Sequence, residues 1–161
     1  MRVIVIIPAA GLGTRMAAPG AKPATSKQFA ELHGLPILLH TLRKIAAAPQ
    51  VAEIYLALRA SEARGFQARL DQEKLGKPLH IVEGGEHRQE SVANALAAVQ
   101  AAADDIVLVH DAVRPFVDQE IIHNVIEAAR KYAKSTWRFA LPKSPHSRRG
   151  WRGKSWASRC G

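Results

Sequence analysis

The sequence predicts an α/β three-layer sandwich with a mostly parallel sheet. Two observations carry the prediction. Continuous apolar runs without the alternation of a half-exposed strand mark strands covered on both faces. Each of four such runs is followed by a helical pattern, and that alternation implies parallel strands with crossover helices.

The elements follow in order. "RVIVII" (2–7) is a β-branched run and reads as a buried strand. "GLPILLHTLRKIAAAP" (34–49) reads as a helix: Pro36 suits its first turn, Leu39, Leu42, Ile45 and Ala46 recur at helical spacing, and Pro49 stops it. "VAEIYLALR" (51–59) is a second strand. "SEARGFQARLDQEKLG" (61–76) reads as a polar surface helix with Ser61 as N-cap and Gly76 just past its end. "PLHIVEG" (78–84) is a third, short strand. "RQESVANALAAVQAAA" (88–103) reads as a helix with an apolar stripe through Val92, Leu96 and Val99. "DIVLVHDA" (105–112) is a fourth strand, and "DQEIIHNVIEAARKYA" (118–133) a fourth helix. Asp118 caps that helix, and Arg130 and Lys131 lie in the last turn, where the helix dipole favours cations.

The 161 residues suit one domain, with 47% hydrophobic and 23% charged residues, as in ordinary globular proteins. The net charge of +9 is unevenly placed. Residues 1–132 hold fifteen Lys and Arg against all fourteen Asp and Glu, whereas residues 133–161 hold eight Lys and Arg and no acid. The basicity therefore belongs to the tail, not to the domain. That tail carries all three tryptophans and Cys160 and lacks sustained periodicity beyond a short strand candidate at "WRFALP". It is expected to be a poorly ordered basic appendage, an out-of-frame continuation of the second half of its gene. Charge with interleaved tryptophans also suits nucleic-acid binding, but no recognisable binding motif accompanies it, and none is expected. A single cysteine excludes an internal disulfide framework and suits a reducing compartment. "MRVIVIIPAAG" is too short for a signal peptide core and runs into a Pro and Gly loop. No stretch approaches the ~20 apolar residues of a membrane span. A cytoplasmic protein with no membrane partner is the expectation.

Three strand ends carry chemistry, and in an open α/β sheet ligands bind outside the carboxyl ends of the strands. "PAAGLGTRM" (8–16) follows the first strand. Gly11 and Gly13 let main-chain amides approach an anion closely, and Arg15 and Lys27 supply the cations a polyphosphate needs. The loop is not a Walker A motif, and Met16 stands where a dinucleotide fingerprint has its third glycine. A purely structural turn with solvated charges remains open. In "GGEHRQES", Gly84 and Gly85 permit close backbone approach, and Ser91 lies near the next helix start, where amides and a hydroxyl could read a nucleobase edge. From spacing alone, Arg88, Glu90 and Ser91 read rather as capping and solvating that helix. In "HDAVRP", Asp111 suits a divalent metal or a substrate hydroxyl and Arg114 a second phosphate, with a turn-forming aspartate before Pro115 as the alternative. The seven histidines lack metal-ligand spacing, His110 reads as a packed strand-end residue, and no Ser-His-Asp or Cys-His arrangement is present.

Taken together, "PAAGLGTRM", "SKQFAELHGLPILLHTL", "GGEHRQESVANAL" and "LVHDAVRPF" resemble the 2-C-methyl-D-erythritol 4-phosphate cytidylyltransferase family over residues 1–132. The first stretch is shared widely among nucleotidyltransferases; the other three, in this order, are more specific. The resemblance implies a Rossmann-like nucleotidyltransferase fold and transfer of a cytidylyl group from CTP to a sugar-alcohol phosphate, with Mg²⁺ or another divalent cation. It implies that Ala9, Ala10, Gly11, Gly13 and Thr14 cradle the CTP phosphates and that Arg15 and Lys27 are catalytic. It implies further that Gly85, Glu86 and Ser91 select cytosine, that Asp111 and Arg114 face the acceptor, and that Asp111 meets the metal. The family's Asp-Thr strand, dimerisation arm and later substrate-binding residues are not recognisable here. The resemblance also implies the family's homodimer, though its dimerisation arm is not among the recognisable stretches. An inactive CTP-binding remnant and a ribitol 5-phosphate cytidylyltransferase stand as alternatives.

Overall fold

The computed structural model describes residues 1–11 and 26–132. Eleven elements run in order. Strand β1 (Val3–Pro8) precedes a 3-10 turn (Lys27–Phe29) and a small hairpin of β2 (Glu31–Leu32) and β3 (Leu35–Pro36). Helix α1 (Ile37–Ala46), β4 (Val51–Leu58), α2 (Ala60–Leu70) and β5 (Leu79–Glu83) come next. Helix α3 (Arg88–Ala98), β6 (Ile106–Val109) and α4 (Gln119–Tyr132) complete it. The four-stranded sheet has the order β5-β4-β1-β6, and every pairing is parallel. The predicted α/β class and parallel sheet are borne out.

The side-chain alternation of β1 explains the layers. Val3, Val5 and Ile7 point to one face and pack with Leu38, Leu39 and Leu42 of α1, Phe66 and Leu70 of α2, and Ile122 and Ile126 of α4. Ile4 and Ile6 point to the other face and meet Tyr55 of β4, Ala95 of α3 and Val99 just past its end. A strand buried on both faces has no polar position to offer, so β1 is aliphatic up to Pro8. Three helices thus cover one face and α3 the other.

Several boundaries differ from the sequence reading. Helix α2 starts one residue earlier than 61, because the Arg59 carbonyl accepts the amides of Glu62 and Ala63 at 3.0 and 2.9 Å. Ser61 is therefore inside the helix and Arg59 is the N-cap. Gly76 is not the cap residue either: α2 ends at Leu70, and Gly76 takes φ +70° in the later turn. Helix α3 stops at Ala98, since Val99 turns extended and the Gln100 carbonyl is taken by Arg2 Nη2 at 2.6 Å. Asp105 then draws the amides of Arg2 and Ala102 onto its carboxylate at 2.6 and 2.9 Å, which fixes the chain's entry into β6. The buried stripe of α3 is Ser91 and Ala95, continued by Val99 just past its end, with Val92 and Leu96 half-buried beside it. Small residues there let α3 lie close to the sheet.

The β2–β3 hairpin replaces the start of the helix expected from residue 34. Its two-residue turn places His33 at φ +51° and Gly34 at φ +75°, the primed geometry that suits the twist of a hairpin. Pro36 accordingly pairs with Glu31 and precedes α1 instead of lying in its first turn. Asp118 does cap α4, accepting the Ile121 amide on Oδ1 at 2.7 Å. The strand candidate at "WRFALP" and the basic tail lie outside the described residues.

Candidate active site

Chain connections diverge at β1. One leads across α1 to β4, while β6 on β1's other side is reached from β5 through α3. Such a switch point opens a crevice beyond the carboxyl ends of the central strands. The described residues of the three predicted loops touch in pairs there, Gly84 against Ala10 and Arg88 against Asp111.

Ala9 and Ala10 are buried at the end of β1, and Ala9 continues the ladder by donating to the Ala57 carbonyl at 2.8 Å. Two side chains hold their carbonyls inward: Gln28 Nε2 donates to Ala9 O at 2.6 Å, and Arg59 Nε donates to Ala10 O. Gln28 is itself 3% exposed, so the segment returning from the loop is anchored beneath β1. Gly11 lies exposed beyond this anchor. Gly13, Thr14 and Arg15 lie outside the described residues. Lys27 opens the 3-10 turn, one residue before the Gln28 anchor, and is half-buried.

The loop after β5 presses on the loop after β1. A Cβ placed on Gly84 would stand 2.3 Å from the Ala10 Cβ and 3.2 Å from Ser91 Oγ, so only glycine allows the approach. Gly84 also donates to Leu58 O at 2.7 Å. Beyond it, Glu90 Oε2 accepts the amides of Glu86 at 2.9 Å and His87 at 3.4 Å, the capping role expected from spacing. Ser91 is buried; its Oγ accepts the Gly85 amide at 3.1 Å and donates to His87 O at 3.2 Å. Its hydroxyl thereby shapes the Gly85–Glu86 turn from below. Glu86 is exposed.

Asp111 lies two residues past β6, in a turn closed by the Arg114 amide on the Asp111 carbonyl at 3.2 Å. The turn-forming role weighed for Asp111 is thus present. Its Oδ1 accepts from Arg88 Nε and Nη2 at 3.2 and 2.9 Å, and its Oδ2 from Arg114 Nε at 3.1 Å. Hydrogen bonding from Arg88, then from Arg114, holds the Asp111 carboxyl below its usual range against a partial burial that pushes it up. His110 Nε2 sits 3.1 Å from the Arg114 carbonyl, the packed strand-end role expected of it. Thr41 of α1 donates to the Ala112 carbonyl at 2.9 Å and ties this loop to the core.

Sequence reasoning missed Arg88, Gln28 and Arg59. Arg88 was assigned to solvent, and its partner is 23 residues away. Gln28 and Arg59 act on main-chain carbonyls, which no motif records. Among the described residues no group of three His, Cys, Asp or Glu forms a metal site. Asp111 fits a divalent cation only in the mode in which one carboxylate joins waters and substrate phosphates, a common mode for Mg²⁺. Its Oδ2 carries one guanidinium contact, and its depressed titration keeps it anionic at neutral pH.

The family model described as 2-C-methyl-D-erythritol 4-phosphate cytidylyltransferase matches residues 3–143. The chain belongs to that family. A relative of that name from Acidobacterium capsulatum is 50% identical over 131 residues, covering 81% of this chain and 55% of the relative. One from Clostridium acetobutylicum is 44% identical over 128 residues, covering 79% of this chain and 53% of the relative. The chain thus spans about half the length of the curated relatives it matches. Among solved structures, the 4-diphosphocytidyl-2C-methyl-D-erythritol synthase of Anaerococcus prevotii aligns with a TM-score of 0.64 and 26% identity, covering 81% of this chain and 52% of that one. A CMP:2-keto-3-deoxy-manno-octonic acid synthetase solved with CTP aligns with a TM-score of 0.60 at 16% identity, covering 81% and 48%, and shows the shared fold. Among the described residues no helix is long and apolar enough to cross a membrane.

Proposed function

We propose that this segment is the nucleotide-binding half of an enzyme that transfers a cytidylyl group from CTP to 2-C-methyl-D-erythritol 4-phosphate. The observation that carries the reading is the convergence of three loops at the β1–β6 switch point: Gly84 packed on Ala10, and Arg88 bound to Asp111. The family's shared activity supplies the substrates, CTP and a sugar-alcohol phosphate.

In the proposed reaction an oxygen of the acceptor phosphate attacks the α-phosphorus of CTP. The bond from that phosphorus to the oxygen bridging to the β-phosphate breaks, and pyrophosphate leaves with the negative charge. No proton need move and no covalent enzyme intermediate is required, so the protein contributes position and charge. The segment Ala9, Ala10, Gly11, Gly13 and Thr14 cradles the phosphates, with the Ala9 and Ala10 carbonyls held by Gln28 and Arg59 and the Ala9 amide kept in the ladder on Ala57. Arg15 and Lys27 stabilise the charge that grows on the α-phosphate oxygens. The Gly85–Glu86 turn, shaped by Ser91, offers main-chain and carboxylate groups to the cytosine edge. Asp111 and Arg114 face the ribose and the acceptor phosphate. A divalent cation held by Asp111 and the phosphates would supply charge neutralisation. The family's homodimer and a cytoplasmic location remain part of this reading.

Pyrophosphate release by the purified chain with CTP, Mg²⁺ and the acceptor, against Lys27→Ala, tests it. Release abolished by Lys27→Ala supports it; ribitol 5-phosphate in place of the acceptor tests the related substrate. A second reading is favoured by the chain's span of about half its relatives. A segment of that extent binds CTP without completing the acceptor site. Protection by CTP against thermal unfolding without pyrophosphate release supports this second reading. Neither release nor protection overturns both.

A further inference from the structure

Helix α2 is polar along most of its length, yet one of its faces grips the chain on both sides of Lys27. Glu62 and Phe66 stand one turn apart and share that face. The Glu62 carboxylate accepts the Ser26 hydroxyl on Oε1 and the Gln28 side-chain amide on Oε2, the latter at 3.5 Å. Phe66 is buried, and it meets the Phe29 ring edge-on with centroids 5.3 Å apart. Ser26, Gln28 and Phe29 are thus all tied to α2. Lys27, half-buried between them, makes no ion pair and no side-chain hydrogen bond among the described residues.

The turn that carries Lys27 has little order of its own. It is three residues of 3-10 helix, closed by the Phe29 and Ala30 amides on the Ser26 and Lys27 carbonyls at 2.9 and 3.1 Å. So short a helix depends on its surroundings for its place. Gln28 ties it to the end of β1 through the Ala9 carbonyl, and Glu62 ties it to α2. A half-buried carboxylate is costly unless its oxygens find donors, and both Glu62 oxygens find them on the residues flanking Lys27. The bond from Ser26 is charge-assisted and so belongs to the stronger class.

We propose that Glu62 is a positioning residue for Lys27: by holding Ser26 and Gln28 it fixes the backbone from which the lysine reaches the phosphates of CTP. The proposal rests on the reading that Lys27 meets those phosphates, and it needs CTP binding but no turnover. A lysine is a point charge on a flexible stem, so the freedom left at its anchor adds to the entropy lost when the ammonium is fixed on a phosphate. Glu62 removes that freedom at the main chain. It acts through Lys27 and not on the ligand.

The test measures the Kd of CTP with Mg²⁺ for the full purified chain by titration calorimetry. Glu62→Ala is expected to weaken binding by at least about fivefold, as for side chains coupled in one network. In a Lys27→Ala background the same substitution should change the Kd by less than about twofold, because the side chain it positions is gone. Glu62→Gln keeps an oxygen for the Ser26 hydroxyl and should bind within about twofold of the parent. Ser26→Ala removes the same bond by a smaller truncation and repeats both comparisons should Glu62→Ala fail to fold. An unchanged Kd in Glu62→Ala, or a Glu62→Gln protein as weak as Glu62→Ala, overturns the proposal. Equal losses with and without Lys27 overturn it too, since they would mean that Glu62 only supports the fold. A parent chain that does not bind CTP, or a Lys27→Ala protein that binds it like the parent, overturns the proposal together with the role given to Lys27. Failure of the proposal alone shows instead as a parent sensitive to Lys27→Ala and indifferent to Glu62→Ala.

Discussion

Replacing Gly84 by alanine tests whether the loops after β1 and β5 are pressed together as the structure shows. The added Cβ would stand 2.3 Å from the Ala10 Cβ, about 1 Å inside ordinary van der Waals contact, which begins near 3.4 Å. Ala10 has no rotamer with which to retreat. Its backbone is held by β1 on one side and by Arg59 Nε on its carbonyl. Ser91 Oγ, at 3.2 Å, blocks the other direction, and its own hydrogen bonds to Gly85 and His87 fix it there. The backbone must therefore shift, and overpacking of this kind costs about 1–3 kcal/mol. For a chain of this size, roughly 2–4 °C per kcal/mol gives a melting point lower by about 2–12 °C. The same retreat widens the gap between the loops, so the stabilisation conferred by saturating CTP falls relative to the parent. Differential scanning fluorimetry with and without CTP measures both effects. Gly65→Ala is the control: it lies within α2 with nothing within 4 Å of its Cβ. It should raise stability by about 0.5–1 kcal/mol. A Gly84→Ala protein that melts within about 1 °C of the parent would refute the close approach.

Three further outcomes follow from particular contacts. Asp105, whose carboxyl is held near 2 chiefly by the Arg2 and Ala102 amides, lends stability that is fully present above its ordinary 3.8 and is lost as pH falls through about 2. Asp105→Asn should cost about 1–3 kcal/mol at neutral pH in urea unfolding, with the difference from the parent closing toward pH ~2. Arg88→Met removes the largest influence on Asp111, so its carboxyl should titrate closer to the ordinary carboxylate value by NMR. Arg114→Met should move it less, and equal shifts would contradict the geometry. His33→Asn places a residue tolerant of positive φ in the β2–β3 turn and should stabilise by up to about 1 kcal/mol in the same urea assay.

What was legible in the sequence and what was not divide along one physical line. Strands β1 and β4 announce themselves because burial on both faces leaves only apolar choices, and that constraint is local to each strand. Helix ends were misread where distant partners set them. The end of α3 depends on Arg2 reaching Gln100 across 98 residues, and no capping signal near Val99 marks it. The hairpin turn at His33–Gly34 escaped because histidine is not the usual residue for its position, although glycine is. The site follows the same rule. Its loops could be found from glycines and charges after strands, whereas Arg88 looked like solvent decoration until Asp111 was seen to face it.

That pairing has a consequence for how the crevice meets an anion. Arg88 and Arg114 are exposed and already share one carboxylate, so the three groups carry a single net positive charge. A phosphate need not find two free guanidinium groups. It can draw one arginine outward while the other keeps Asp111 ionised and in place, at little cost, because exposed ion pairs contribute only ~0–1 kcal/mol. In the proposed function, strong binding of a triphosphate then has to come from main-chain amides and from cations outside this trio. The buried Gln28 anchor and the Gly84–Ala10 contact hold Ala9 and Ala10 in place at the end of β1. Fixed geometry resides in the backbone at the end of β1, and adjustable charge in the surface arginines.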